Sequence, residues 1–471
     1  MLPASSLRNY EPFVQVNSEL KTNTYPSPRR AWSMVSLLTI LYIFSFLDRT
    51  IIVLLIEPIK ADLGLSDTQI SLLYGFAFAL FYTFLGIPIA RLADRRSRRT
   101  IIMVGVAIWS VMTAICGITR NFAQLFAARI GVGVGEAALS PAAYSLISDS
   151  FPPAERARAM SVYTMGLYLG VGFSLLLGGV VIEWIGATGS VELPIVGEIR
   201  AWQMTFIAVG LPGLLLAGLM MTVREPVRQE LGLAQANTEA DQVSLRDSFE
   251  WFAKRWRFYA VFCLAMSCLV LYSYSLTAWT PSFFIRTHDW TSLEVSRYYG
   301  LVVLIFGPTG ILFGGWWASR RARRGDIVAN VRVAVVCFAL LIVPAGAMTL
   351  LDDPNHTLVL MAVVKFVSGL PLGIAVAAMH EVTPNRLRAQ AVGLYMFTIN
   401  LIGLGFGPTA VALLTDYLFG DPQMLRYSMA IVGSISCFIG LLLTVYAQKH
   451  FRVQKTSYAS SEHPTNSIDA V

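Results

Sequence analysis

The sequence has 471 residues, of which 55% are hydrophobic and only 14% are charged, and its mean hydropathy is +0.60. A water-soluble core of this size cannot hide so much apolar surface. The composition therefore excludes a soluble globular protein and predicts one that is embedded in the lipid bilayer.

Apolar runs recur along almost the whole chain, and each is long enough to cross a membrane. A spanning helix needs ~20 apolar residues, because lipid offers the backbone no hydrogen-bond partners. The polar first 30 residues, with Pro12, Pro26 and Pro28, indicate that the first span is retained and is not a signal peptide. The sequence predicts an all-α membrane protein with twelve spans at 31–56, 69–90, 100–118, 122–147, 160–184, 202–223, 258–285, 298–317, 328–351, 358–379, 391–414 and 424–447.

The basic residues are distributed unevenly between the two sides of these spans. Most of the 36 Lys and Arg residues lie in segments that would share a side with the N-terminus. This bias is the positive-inside signature, and it predicts that both termini are cytoplasmic. Topology also accounts for the net charge of +7, so we expect no nucleic-acid partner.

The two halves of the chain resemble each other. The segment 93–99 after span two returns as 318–324 after span eight, and Arg158-Ala159 returns as Arg388-Ala389. Two repeated segments separated by nearly the same number of residues indicate an internal duplication. In proteins built from such repeats, substrate binds near the midplane of the membrane between the two repeats. The expected regions are an N-terminal tail (1–30), a first six-helix half (31–223), a linker (224–257), a second six-helix half (258–447) and a C-terminal tail (448–471).

The loop after span two carries a recognisable motif, Gly86-Ile-Pro-Ile-Ala-Arg91-Leu-Ala-Asp94-Arg-Arg-Ser-Arg98-Arg99. It resembles the loop shared by the major facilitator superfamily, and topology alone would explain its arginines but not Asp94. The resemblance implies the major facilitator fold and a gating role for Arg91, Asp94 and Arg98, with the Asp bracing this loop against the opposite half. Ser319 replaces the Asp in the second copy, so we expect an asymmetric brace.

Four charged residues fall well inside predicted spans: Asp48, Arg49, Arg129 and Glu136. An unpaired charge there costs at least ~2.5–3.5 kcal/mol. With a rise of ~1.5 Å per residue, Asp48 and Arg129 lie at similar depths, and Glu136 lies ~10 Å further along the same face of span four. We predict one polar chain between spans one and four. It could serve only to hold two helices together, but we favour a functional site.

The same residues suggest how an amphipathic anion could be bound. Arg guanidinium groups pair bidentately with phosphate or carboxylate, so Arg49 and Arg129 are candidate head-group ligands. Tyr272, Tyr274 and Trp279 of span seven are candidate lining for an apolar tail, with ordinary packing as the alternative.

Lys365 stands in the second half where the first half has Arg129, because Lys365-Phe-Val-Ser-Gly369 echoes Arg129-Ile-Gly-Val-Gly133. It is predicted to face the cavity and contact substrate, although a lysine near the surface could instead snorkel.

No pattern in the sequence predicts a metal, a cofactor or an enzymatic reaction. All five cysteines lie in apolar spans without metal-ligand spacing, and no Gly-x4-Gly-Lys-Ser/Thr nucleotide loop occurs. We therefore expect no catalytic residues and no ATP hydrolysis by this chain.

Two segments together carry a closer resemblance. Phe46-Leu-Asp48-Arg49 in span one, and Arg129-Ile-Gly-Val-Gly-Val-Gly-Glu136-Ala in span four, resemble the Spinster family of lipid transporters, most strongly over residues 40–180. The resemblance implies transport of lysolipids or sphingoid phosphates such as sphingosine-1-phosphate, coupling to protons through Asp48 and Glu136, and a monomer in a bacterial inner membrane.

The favoured function is a secondary active transporter that moves an amphipathic anion by alternating access. The alternative within transport is a proton-coupled exporter of small drugs or metabolites on the same fold. A third interpretation is a membrane-embedded enzyme or receptor. The duplicated halves and the loop motif disfavour it.

Overall fold

The computed structural model describes residues 25–187, 189–193, 197–228, 245–384 and 387–462. Within these ranges, eleven helices are long and apolar enough to cross a membrane. They coincide with eleven of the predicted spans, and we number them as spans 1–9, 11 and 12. Their bounds are Pro28–Leu54, Asp67–Gly86, Arg98–Cys116, Phe122–Ser150, Arg158–Gly186, Ala201–Thr222, Trp256–His288, Ser292–Ala322, Ala329–Ala347, Gln390–Phe419 and Pro422–Thr456.

Span 10 is helical but interrupted. A helix at Pro354–Gly369 ends just before Pro371, and a second helix, Ala375–His380, continues the chain. Proline has no N–H and its ring clashes with the carbonyl four residues earlier, which favours a break here, whereas the helices of spans 8 and 9 continue through Pro308 and Pro344. The prediction of one continuous helix over 358–379 is therefore wrong in its middle. With span 10 included, the all-α fold of two six-helix halves is confirmed.

Span 4 is interrupted at the equivalent place in the first half. Its helix Phe122–Glu136 is followed by two residues outside regular helix and then by Leu139–Ser150. The break places Glu136 at a helix end rather than in the middle of a continuous span. Matching breaks in spans 4 and 10 agree with the predicted duplication.

The start of span 1 and the end of span 12 lie on one side of the molecule, which we call the proximal side; the opposite side is the distal side. Spans 5 and 8 join the halves near the distal side, where a Cβ on Gly179 would lie 2.0 Å from Oγ of Ser296. Spans 2 and 11 make a second junction, because a Cβ on Gly75 would lie 2.7 Å from the carbonyl oxygen of Leu404. Only glycine permits backbones to approach this closely.

The proximal side carries further helix outside the membrane spans. The last helix, Leu425–Glu462, extends into the region predicted as the C-terminal tail. There Lys455 Nζ donates to the carbonyl of Ile327 at 3.0 Å and to Glu381 at 2.5 Å. Residues 229–244 of the predicted linker lie outside the described residues, and the helix Leu245–Lys254 follows them.

Spans 3 and 4 touch through two glycines. A Cβ on Gly135 would lie 2.6 Å from the backbone nitrogen of Trp109 and 2.7 Å from the carbonyl oxygen of Gly105. Backbone atoms cannot move aside as a flexible side chain can, so this contact fixes span 4 beside span 3. The contact lies next to Glu136, and it therefore also fixes the position of that carboxylate.

We expect Gly135→Ala to destabilise the protein by ~1–3 kcal/mol, the usual cost of overpacking a tight contact. Thermal unfolding of the purified protein in detergent measures this as a lower melting temperature. Gly218→Ala is the matched control, because its Cβ would meet nothing within 4 Å. Equal melting temperatures for the two variants would contradict the close packing of spans 3 and 4.

Candidate functional site

The four charged residues predicted inside spans 1 and 4 meet in the interior. Asp48, Arg49, Arg129 and Glu136 are 1%, 5%, 0% and 2% exposed. They lie where helix geometry changes: span 1 passes from α-helix to 3-10 helix after Thr50, and span 4 is interrupted after Glu136. Such changes free backbone carbonyl groups, which need partners in a bilayer.

Arg49 and Glu136 form an ion pair between spans 1 and 4. Arg49 Nε donates to Oε2 of Glu136 at 3.2 Å, and Ser45 Oγ donates to the same oxygen at 2.8 Å. The Arg49 guanidinium lies 4.0 Å from the ring centroid of Phe78 and 4.6 Å from that of Phe46. Oε1 of Glu136 is buried and accepts no hydrogen bond from the described residues. The guanidinium thus has one charged partner and an aromatic shell.

Asp48 is buried beside this pair, but its carboxyl group has a different hydrogen-bonding environment. Neither of its oxygens accepts a hydrogen bond from the part of the chain that the structure describes. The indole N–H of Trp109 and the hydroxyl of Thr113, both on span 3, lie beside it without forming a bond of normal geometry. Buried polar groups in proteins are nearly always hydrogen-bonded, so three such groups together mark an unusual site.

Arg129 is held by backbone carbonyl groups. Its Nη1 and Nη2 donate to the carbonyls of Asp48 and Arg49, each at 3.3 Å, and its Nε donates to that of Leu73 at 3.4 Å. Leu73 lies in a π-helical turn, Leu72–Phe76. One guanidinium on span 4 therefore links that span to spans 1 and 2 where the helices of spans 1 and 2 become irregular. Within the predicted polar chain, Arg129 bonds to the main chain of Asp48.

Lys365 is also buried, with only 7% of its surface exposed. It lies eleven residues after the start of its helix at Pro354, which is ~16 Å from the distal end at 1.5 Å per residue. Its Nζ lies 5.6 Å from the ring centroid of Tyr299. Lys365 thus lies near the midplane and does not snorkel to the surface; its contact with substrate stays a prediction.

The three aromatic residues predicted to line a cavity occupy different positions. The hydroxyl of Tyr272 donates to the sulfur of Met348 at 3.9 Å, and Trp279 Nε1 donates to the carbonyl of Pro408 at 2.8 Å. Both rings are buried in the second half, and their contact with substrate stays a prediction. Tyr274 is half-buried, packs against both apolar clusters of the molecule and lies near Arg49.

The proximal loop after span 2 contains the three predicted gating residues. Arg91 and Asp94 lie in the last turns of the helix Ala77–Arg95. Arg91 is exposed, whereas the side chain of Asp94 lies outside the described residues. The gating role of both stays a prediction.

Arg98 is buried and ties this loop to its own half. It forms an ion pair with Asp149 at the end of span 4, and Nη1 donates to Ser145 Oγ at 2.9 Å. Its Nε donates to Oε1 of Glu225, just after span 6, at 3.2 Å. Ser145 and Asp149 belong to the first half and Glu225 to the linker that follows it, so Arg98 holds the loop against the end of span 4 and the start of the linker.

Glu225 completes this proximal network outside the membrane. Partial burial raises the pKa of its carboxyl group, but hydrogen bonds from Ser97 and Arg98 outweigh burial and leave the pKa below its ordinary value. Because the folded-state pKa is the lower one, the stabilisation by Glu225 is fully present above the ordinary value of 4.5. It is lost as the pH falls through the folded-state pKa.

A second charged network, which sequence reasoning missed, closes the distal side. Arg286 at the end of span 7 donates to Oδ2 and Oδ1 of Asp67 at 2.7 and 2.8 Å, and to Oε1 of Glu57 at 2.9 Å. Asp67 also forms an ion pair with Lys60. On span 11, Asp416 accepts from the backbone N–H of Thr68 at 2.7 Å. The partners come from both halves, so these contacts hold the distal side shut.

Each member of the distal network looks ordinary in the sequence. Asp67 follows the N-cap Ser66 in a capping box, and Arg286 lies in the last turn of its helix. Charges of these signs at these helix ends are expected from the helix dipole alone. No local signal joins two residues 219 positions apart, so only the packing of the halves could identify the pair.

The sequence profile of the Major Facilitator Superfamily matches residues 38–408. The chain belongs to this superfamily. It is 29% identical over 428 residues to an MFS-type efflux pump of Mycolicibacterium smegmatis, covering 90% of this chain and 94% of that protein. It is 26% identical over 477 residues to spinster homolog 3 of Danio rerio, covering 94% of this chain and 91% of that protein.

Among solved structures, the chain is similar to a bacterial homologue of the human lysosomal transporter Spinster in an inward-facing, unoccupied conformation. The TM-score is 0.76 and the sequence identity 25%, with 92% of this chain and 99% of that chain covered. The resemblance to the Spinster family is therefore confirmed. The chain is an integral, multi-pass membrane transporter of a superfamily of transporters rather than of enzymes.

The proximal network yields a stability test. Arg98→Ala removes one partner of the buried carboxylate of Asp149, and breaking a buried pair on one side costs up to ~3–5 kcal/mol. We expect a clear fall in the melting temperature of the purified protein at neutral pH. Arg95→Ala, which removes an exposed arginine of the same loop, should leave it nearly unchanged. An Arg98→Ala variant as stable as this control would show that the network contributes nothing to the fold.

Proposed function

We propose that this chain moves a lipid-like amphipathic anion, such as a lysolipid or a sphingoid phosphate, by proton-coupled alternating access. One observation carries the proposal: the Arg49–Glu136 ion pair, enclosed by aromatic rings, lies directly beside the partnerless carboxyl group of Asp48. An anion-binding group and two proton-binding groups are thus in one place near the middle of the protein.

The guanidinium of Arg49 is suited to an anionic head group. Glu136 is a carboxylate already bound to it, so an incoming phosphate or carboxylate would replace a group of the same charge and similar geometry. The rings of Phe78 and Phe46 keep the surroundings of the charge apolar. Such a site favours an amphiphile over a fully hydrated ion, with Tyr274 as the proposed contact for its tail.

Protons couple to this exchange through the two carboxyl groups. A proton on Glu136 would weaken its hold on Arg49 and release the guanidinium for substrate. A proton on Asp48 would remove a buried charge whose oxygens accept no hydrogen bond of normal geometry from the described residues. We assign Glu136 to the exchange and Asp48 to charge balance beside it. Arg129 positions both residues through the carbonyl groups of Asp48 and Arg49.

The remaining assignments follow the same scheme. Lys365 is proposed as a second anion contact that substrate reaches from the other half when the protein changes conformation. Arg91 and Asp94 are proposed to gate the proximal side. By the positive-inside rule that side faces the cytoplasm, and we place the protein in a bacterial inner membrane.

A second candidate is a proton-coupled exporter of small drugs or metabolites. It is favoured by the similarity to the MFS-type efflux pump of Mycolicibacterium smegmatis. A drug exporter would not need a phosphate or carboxylate on its substrate, and this difference separates the two functions experimentally.

Flux into proteoliposomes tests the substrate class. We expect wild-type protein to move lysophosphatidate or sphingosine-1-phosphate but not monoacylglycerol, which has an apolar tail and no charge. Arg49→Lys keeps the charge but loses the planar fork. It should weaken binding of the phosphate amphiphile by about tenfold, the loss expected from one charge-assisted hydrogen bond of ~1.5 kcal/mol.

The matched control for that experiment is Arg95→Lys, the same exchange at an exposed position. Equal flux of charged and uncharged amphiphiles, or of cationic drugs alone, would contradict the proposed substrate class and favour the exporter.

Proton coupling predicts that Asp48→Asn and Glu136→Gln flatten the pH dependence of flux, because neither side chain can then bind or release a proton. Transport rates at several pH values on the proximal side measure this. Glu198→Gln removes an exposed carboxylate from the distal β-strand Gly197–Ile199, which pairs with Val191–Leu193 between spans 5 and 6, and should keep the wild-type pH profile. If both buried variants also keep it, protons do not act through these carboxyl groups.

A further inference from the structure

Arg286 is the residue of the second half through which the distal ion pairs join the two halves, because Asp67 and Glu57 both lie in the first half. Its side chain is only 5% exposed. Two of its nitrogens bind both oxygens of Asp67, and its Nε binds Glu57. Its contacts in its own half are the carbonyl of Pro422 at 3.3 Å and the ring of Trp279, 5.9 Å from the guanidinium carbon.

The network is therefore asymmetric. Asp67 and Lys60 both precede or begin span 2, and they can stay paired when the halves separate. Arg286 must leave Asp67 and Glu57 together for the distal side to open. The first half keeps a neutralised Asp67, whereas the second half is left with a guanidinium that has lost both ionic partners.

A guanidinium in this position has a defined chemistry. Its planar set of N–H donors already binds a carboxylate bidentately, so its geometry is matched to carboxylate or phosphate. Once the distal side opens, the group stands at the rim of the opening between the halves, where substrate enters or leaves. An anion there would replace Asp67 without any change in the arginine itself.

We propose that Arg286 is an anion-binding residue of the distal-open conformation, where it receives the phosphate or carboxylate head group of the substrate. The same residue thus locks the distal side when bound to Asp67 and binds the transported anion when that side is open. This inference rests on the proposed function, because it assumes an anionic amphiphile as substrate. It adds a second binding position to the buried site around Arg49.

An acidic residue of the second half, Asp416, could compete with the substrate for Arg286. Asp416 accepts from the backbone of Thr68 in the closed conformation, and it loses that partner when the distal side opens. If Asp416 captured Arg286, the anion would find no free guanidinium. Binding measurements distinguish these outcomes.

Two substitutions separate the lock from the binding position. Asp67→Asn and Arg286→Gln both break the lock, so both should raise the distal-open population. Spin labels at the exposed positions Glu198 and His356, one in each half on the distal side, would report this as longer distances in both variants. The two variants should change the affinity for substrate in opposite directions.

We expect the full-length protein with Asp67→Asn to bind lysophosphatidate more tightly than wild type, by the factor by which the distal-open population rises. Arg286→Gln should bind it more weakly than wild type despite the same opening. Arg297→Gln, which removes an exposed distal arginine outside the network, is the control for surface charge and should match wild type.

Equal affinities in Asp67→Asn and Arg286→Gln would overturn the inference and reduce Arg286 to a lock, or show that Asp416 captures it. If none of the proteins, wild type included, bound lysophosphatidate, the proposed substrate class would fail and this inference with it. Asp67→Asn keeps every donor of Arg286, so it decides the matter even if Arg286→Gln does not fold: affinity no higher than wild type in an opened variant would refute the proposal.

Discussion

A bilayer cannot hydrate a charge or a free carbonyl group, and the interior of this protein is organised around that constraint. Spans 1, 2 and 4 each depart from regular helix where they meet, which frees carbonyl groups. The guanidinium of Arg129 bonds to carbonyls of spans 1 and 2. It thereby fixes Asp48 and Arg49 opposite Glu136. The polar site exists because irregular helices and a buried arginine satisfy one another.

The two charged networks at the ends of the protein differ in a way that matters for movement. The ion pairs of Arg98 join the first half to itself and to the start of the linker, and neither Asp149 nor Glu225 belongs to the second half. The Arg286 network joins the halves and must break for the distal side to open. Only contacts that differ between conformations can bias an equilibrium. The distal pairs therefore favour the conformation in which the distal side is closed.

The depth of a residue in the membrane can be calculated from its position along a predicted helix, and this depth predicted part of the site correctly. The rise per residue brought Asp48 and Arg129 to the same level, and the structure places Nη1 of Arg129 3.3 Å from the carbonyl of Asp48. The fold was equally accessible, because apolar runs of spanning length and a repeated loop define twelve spans in two halves. Pro371 alone did not predict the interruption of span 10, because Pro308 and Pro344 lie inside unbroken helices.

Rotation about each helix axis, and contact between distant segments, were decided only by the tertiary structure. Tyr272 and Trp279 hydrogen-bond to Met348 and Pro408 within the second half, and spacing alone could not identify these partners. Asp67, the partner of Arg286, lies in the other half of the protein, and no local sequence pattern predicts this pairing. The sequence by itself determined which segments enter the membrane and how deep each charge lies, because hydrophobicity and helical rise are local properties. Packing decided which groups meet, because a charge in lipid takes whichever partner the neighbouring helices bring within reach.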